Sequence, residues 1–223
     1  MKTSNTPPAS APDLDPYLRV HRILRVSAAE LAAVLAADST ATPNRSRDHA
    51  LVRWYRGFAG EIRCHHHIED ELLFPALRNR VATYVELGPR LDADHASLDV
   101  VLDGLADALA TGKRTAAAGF AAELRDHLDE HLAFEDNDVV PLFIRHFTAI
   151  EFDELNAKAV KMTSLRQLVF TAPWLMSYLD AAEQAELLAS VPRAMTTLWK
   201  FTRGRYAKLT ARAFALAGPR VAQ

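Results

Sequence analysis

Two short stretches of this chain carry most of its coordinating chemistry. HHHIEDELLFPAL begins at His65 and HLAFEDNDVVPLF begins at His131. Each reads His, three residues, Glu-Asp, and a proline further on. On a helix, positions four apart share a face, so each stretch offers an imidazole and a carboxylate on one side. Two more histidines, His21 and His95, each stand three residues before a leucine in an apolar-periodic segment.

Helical phase separates the candidates. With ~100° per residue and His65 at the origin, Leu51, Phe58, Ile62, Leu72 and Ala76 fall within about 60° of it, and Glu69 at ~40°. His67, which forms a second His-x-x-x-Glu couple with Glu71, falls ~200° away among Arg63 and Asp70, toward solvent. His66, at ~100°, is a flanking position that could reach inward. The second stretch behaves alike: Phe120, Leu124, Leu128 and Leu142 share the face of His131, with Glu135 at ~40° and His127 at about -40°. His95 aligns with Leu91 and Leu102, with Asp99 near the edge, and His21 aligns with Leu14, Tyr17 and Ala28.

Four histidines and two glutamates thus aim at one axis. A buried carboxylate without a partner is costly, and a cation pair removes the cost. Two glutamates can bridge two ions while two histidines complete each. A thiolate-free set of imidazole and carboxylate suits iron, with manganese or zinc also compatible. The sites expected are His21, His65, Glu69, His95, His131 and Glu135. His66, Asp99 and His127 are additional candidates, as ligands or as partners of ligands.

The elements that must position these residues read as helices. The chain has 223 residues, 49% of them hydrophobic, only 8 glycines, and no run with the alternation of a strand. Asp15 and Pro16 open a first helix. DSTATPNRSR, from Asp38 to Arg47, reads as a loop. A second helix is expected over Asp48–Leu77, bent near Pro75. A third runs over Pro89–Ala110 after a Gly88-Pro89 break. A fourth runs from Thr115 to His146, disturbed near Pro141. The expectation is all-α: an up-down-up-down four-helix bundle over residues 13–147, a disordered tail over 1–12, and a helical extension over 148–223 punctuated by Pro173 and Pro192, with Asp180 as a cap.

At these residues the sequence resembles the hemerythrin-like, or HHE cation-binding, family, over roughly residues 13–147. The resemblance implies a four-helix bundle around a non-haem di-iron centre with an oxo or hydroxo bridge. His21, His65, His95 and His131 would be terminal ligands, and Glu69 and Glu135 bridging ones. It also implies a small ligand: O2, hydrogen peroxide or NO. Two positions depart from the pattern. Oxygen carriers have a histidine four residues after the third-helix histidine, where this chain has Asp99. Some members have an acid just after the second-helix histidine, where it has His66. The ferritin couple, Glu-x-x-His, has the opposite order and a different spacing.

Composition bounds the rest. The net charge is -2 and Cys64 is the single cysteine, so no internal disulfide or cysteine-based zinc site forms. A cytoplasmic protein is expected, without a membrane or nucleic-acid partner, and compatible with a homo-oligomer. Cys64 is read as a packing residue. After Pro192 there are 7 basic and no acidic residues, against 19 basic and 28 acidic before it. The expectation is a solvated basic helix lying on an acidic bundle. Three readings follow: a di-iron protein that binds or processes O2, peroxide or NO and, if it is an enzyme, degrades peroxide in a catalase-like reaction; a metal- or oxygen-responsive sensor whose C-terminal helices signal the state of the site; or a metal-free helical scaffold in which the His-Glu pairs are structural.

Overall fold

The structure, a computed structural model, describes residues 10–38 and 44–215. Most of the N-terminal tail, part of the expected loop and the end of the extension lie outside the described residues. The described chain is helical, with no strand among those residues.

Helix α1 spans Asp15–Asp38. Asp15 is its first residue rather than its cap. The Asp13 carboxylate accepts the Asp15 N–H at 2.9 Å, and Leu14, buried in the core, contributes its carbonyl to Leu18. Helix α2 spans Arg45–Ile68 and starts three residues before the expected Asp48. Asn44 is the reason: its side-chain oxygen accepts the Arg47 N–H, while the Arg47 guanidinium grips the buried Asp38 carboxylate.

After α2 the helix continues through a π-turn, Glu69–Leu73, into α3, Phe74–Arg78. Helix α5, Arg114–Phe134, does the same through a π-turn at Glu135–Val139 into α6, Val140–His146. Proline explains both. Pro75 and Pro141 lack an N–H, and their rings clash with the carbonyl four residues back. The turn widens instead, so that the Phe74 N–H reaches Glu69 and the Val140 N–H reaches Glu135. Such π-turns concentrate at functional sites.

Helix α4 spans Tyr84–Ala110, so Gly88-Pro89 lies inside it and does not break the chain. Pro89 forfeits only the bond to the carbonyl of Val85, an exposed residue of the first turn, and buried Tyr84 holds that turn against Phe74. Beyond α6 come α7 (Ala149–Met162), α8 (Leu165–Met176), α9 (Ala181–Ser190) and α10 (Arg193–Ala213). Asp180 caps α9 as expected, in a capping box with Glu183. Pro173, by contrast, sits inside α8 instead of ending a helix. The carbonyl it leaves unbonded belongs to Val169, which is solvent-exposed.

The buried apolar residues form two clusters. One holds Leu24, Ile62, Leu98 and Leu128, together with Trp174 and Tyr206 from α8 and α10. The other holds Leu14, Leu73, Leu91 and Val139, together with Phe152 and Leu155 from α7. The four long helical runs each pass through both. The C-terminal helices are fastened by hydrogen bonds as well as by apolar contact. Trp174 donates to Ser27 at 3.0 Å, and Trp54 donates to the Tyr206 hydroxyl at 3.2 Å. Gly57 and Gly60 let α8 approach α2 closely; a Cβ on Gly57 would lie 2.1 Å from the Phe170 ring.

Candidate metal centre

The residues with coordinating chemistry occupy the layer between the two apolar clusters. From Leu14, just before α1, the order is Leu14, His21, Leu24; along α4 it is Leu91, His95, Leu98. On the second run Ile62 precedes the histidines and Glu69, and Leu73 follows. On the fourth, Leu128 precedes His131 and Glu135, and Val139 follows. Up to each glutamate the 3.6-residue period keeps these polar groups on the stripe of the apolar residues before them, and the π-turn then shifts the phase by one residue, so that Leu73 is buried where the unbroken period points to Leu72.

Glu69 and Glu135 are both 0% exposed. Each begins its π-turn, and each meets the histidine one turn earlier. The His65 Nε2 atom lies 3.1 Å from Glu69 and the His131 Nε2 atom 3.4 Å from Glu135. The other two helices close the set, with His21 Nε2 at 3.5 Å from Glu135 and His95 Nε2 at 3.7 Å from Glu69. Two quartets result: His21, His65, Glu69 and Glu135, and Glu69, His95, His131 and Glu135. One ligand atom from each member lies within 4.8 Å of the others. Both quartets share both carboxylates.

The donor set fits a cation because nitrogens of four imidazoles and oxygens of two carboxylates converge without partners of their own. Asp136 takes His21 Nδ1 at 2.7 Å, and Asp70 takes His95 Nδ1 at 3.0 Å. A carboxylate only accepts, so Nδ1 carries the proton in each ring and Nε2 turns a lone pair inward. His21, His65, His95 and His131 all leave Nε2 without a hydrogen bond, as do oxygens of Glu69 and Glu135. Buried polar atoms are rarely left so, and here they face one another. Desolvation records the same strain. Burial raises the Glu69 carboxyl to about 8, against a pull downward from the Tyr17 hydroxyl that donates to it. Burial and the nearby Glu69 charge push Glu135 well above the carboxylate range. Burial lowers His21 and, helped by neighbouring imidazoles, His65; it drives His131 down to about 3. Burial thus favours the neutral forms of Glu69, Glu135, His21, His65 and His131, and a bound cation would reverse that for the carboxylates.

The three additional candidates part company. His66 is 5% exposed and turns inward: its ring stacks on His95 at 4.0 Å and meets His131 edge-on at 5.3 Å. Together His66, His95 and His131 form a third group of convergent nitrogens. Asp99 lies outside the cluster, more than half exposed, and takes the Arg63 Nε–H at 3.1 Å. His127 lines a cleft of about 170 Å³ beside His131, with Asp94, Ser97 and Glu130, and no convergent group contains it. His67 and Glu71 are exposed, as helical phase requires.

Sequence reasoning passed over Asp70 and Asp136 as orienting groups. The signal was present in the repeated Glu-Asp pair. Each aspartate stands one residue beyond the inward glutamate and reaches sideways to the histidine of a neighbouring helix. Arg25 holds Asp136 in place at 2.8 Å.

Compared with known protein families, residues 14–143 match the hemerythrin HHE cation binding domain. No curated protein and no solved structure matches the chain. The matched segment covers more than half of the chain, which therefore belongs to the hemerythrin HHE cation-binding family.

Proposed function

Starting from that membership, we propose that the chain holds a carboxylate-bridged pair of iron ions and uses it to bind or process O2, peroxide or NO. The observation that carries this reading is the sharing of Glu69 and Glu135 between two donor quartets. His21 and His65 would complete one ion, and His95 and His131, joined by His66, the other. Manganese or zinc would satisfy the same donors less selectively than redox chemistry requires. Bound as a pair, iron supplies electron transfer and exchangeable positions for a small ligand. The chain's own residues fix the rings through Asp70 and Asp136 and hold a proton on Tyr17, whose hydroxyl is kept from ionising by burial and by both glutamates. The apolar layers above and below exclude water.

The four long runs cross the two apolar clusters in alternating order, which supports an up-down-up-down bundle as the metal-binding unit over residues 13–147, with residues 148–223 as an extension. The single cysteine supports a reducing, cytoplasmic setting.

Metal analysis and a visible spectrum test the reading. Two irons per chain and the bands of a ferric pair are expected, both lost in His65→Ala. Fewer than one iron per chain in protein reconstituted with ferrous iron would sink it. Release of O2 on adding hydrogen peroxide to iron-loaded protein identifies a catalase-like enzyme; two irons without gas release identify a binding or sensing role.

A second reading, a sensor whose C-terminal helices report the site, is favoured by one contact region. One turn before His65, the buried Glu61 carboxylate accepts from Gln167 at 2.8 Å and from Thr171, both on α8, and Cys64 lies 3.6 Å from Thr163. Burial raises both Glu61 and the Cys64 thiol, consistent with packing rather than redox duty. Proteolysis of α8–α10 that slows when metal is bound would support signalling; equal rates would remove it.

A further inference from the structure

The cations of the basic C-terminal segment do not face the bundle. Helix α10 packs inward through Tyr206, Thr210 and Ala213, with Trp199 and Leu209 beside them. Its cations, Arg193, Lys200, Arg203, Arg205, Lys208 and Arg212, are all exposed. None forms an ion pair with the described residues; the Arg203 guanidinium instead lies 5.1 Å from the Trp199 ring. As expected, the basic helix lies on the bundle with its cations in solvent. Phe201 stands among these cations, one residue from Lys200 and one turn before Arg205. At 79% exposure it is the most exposed large apolar side chain among the described residues. Over 21 residues the face extends for about 31 Å.

We propose that this face docks the protein on an anionic lipid surface. Six cations without an ion pair among the described residues, spread over the solvent-facing arc of α10, attract a negative plane, while the rest of the chain is net acidic and keeps the attraction local. An exposed aromatic amid basic residues is the pattern of interfacial contact: the charges approach the phosphates and the ring enters the headgroup boundary. Phe201 has no place on a phosphate backbone but fits a headgroup boundary, and the overall net charge of -2 is unlike that of a nucleic-acid binder, which makes a lipid plane the better match. The helix is held to the bundle by its other face, so it docks without unfolding and without spanning; among the described residues no helix is long and apolar enough to cross a membrane. This inference does not depend on which metal the centre holds.

Co-sedimentation of the full chain with vesicles tests it. Vesicles of phosphatidylcholine with about a third phosphatidylglycerol should retain the protein at low salt and release it at high salt, and pure phosphatidylcholine should not retain it. The triple variant K200E/R205E/K208E should bind about 100-fold more weakly or worse. Phe201→Ala should bind about 10-fold more weakly with the salt dependence unchanged. These side chains are exposed, and an unchanged circular dichroism spectrum verifies that the variants fold. Absence of binding to anionic vesicles, equal binding by the triple variant, or tighter binding to a double-stranded DNA fragment than to the vesicles at equal salt would each overturn the proposal.

Discussion

The two histidine-glutamate stretches share their histidine, glutamate, aspartate and proline, and one of the positions at which they differ shapes the centre. Both place a histidine one turn before a fully buried glutamate, both open a π-turn ahead of a proline, and both send the next aspartate to the histidine of another helix. The residue after the leading histidine separates them. In the first stretch it is His66, buried against His95 and His131; in the second it is Leu132, wholly buried in the apolar cluster. The centre is therefore lopsided, with three imidazoles gathered on one side and two on the other. On the two-imidazole side stands Tyr17, 4.2 Å from the His21 ring and hydrogen-bonded to Glu69, while Glu135 receives no such bond. A repeat supplies the symmetric scaffold, and single substitutions within it supply the asymmetry that chemistry needs.

Breaking what the stretches share should have the largest effect. Glu69→Ala and Glu135→Ala each remove an oxygen pair common to both quartets, so either variant should lose the paired centre, with metal content falling below one ion per chain by elemental analysis. Two ions retained by either variant would contradict carboxylate sharing.

Proton occupancy distinguishes the glutamates next. In metal-free protein Glu69 keeps its proton to about 8, whereas in the unfolded chain it loses it near the ordinary value of about 4.3. The folded state binds the extra proton, so this contribution to stability is complete below the unfolded value and fades as pH rises through about 8. Above roughly pH 7 unperturbed imidazoles are neutral in both states, and the carboxylates set the slope. The melting temperature of metal-free protein should therefore fall between about pH 7 and 9, and that of metal-loaded protein should stay level. Tyr17→Phe should move the decline to higher pH, because the hydroxyl that favours the Glu69 anion is gone.

Making the first stretch resemble the second is a sharper comparison. His66→Leu should weaken one ion and spare the other, giving one tight and one weak site by titration calorimetry. The metal-free variant should melt at or above the parent temperature, since a buried nitrogen without a partner is replaced by an apolar group. Equal weakening of both ions would mean that His66 serves the whole centre.

The smallest effects should come from the orienting aspartates. Asp70→Asn and Asp136→Asn should each reduce metal affinity about 10- to 100-fold without abolishing it. Asp136→Asn should cost more, because it also leaves the Arg25 guanidinium without that partner. A larger loss from Asp70→Asn would invert the comparison.

Much of this was legible in one dimension. The 3.6-residue period alone assigns His65 and Glu69 to the interior and His67 and Glu71 to solvent, because helical phase is a local property that no distant contact can alter. Order and spacing alone separate the two couples from the ferritin arrangement. Pro75 and Pro141 marked where the helices would be disturbed, although not that the disturbance would be a π-turn starting at each glutamate. Gly88-Pro89 misled, since the packing of Tyr84 on Phe74 overrides a local preference to stop.

What the sequence determined by itself is which residues share a stripe: the four histidines and two glutamates lie among leucines, and burying the leucines buries them. Tertiary structure alone decided what lies beside each stripe. His66 sits ~100° from His65, a direction that could have met solvent, and it is buried because α4 brings His95 against it. Asp70 and Asp136 find their rings, and the cations of α10 find water instead of acids, for the same reason. Periodicity fixes direction within one helix, while the neighbour in that direction belongs to a segment tens of residues away, chosen by how the apolar faces pack.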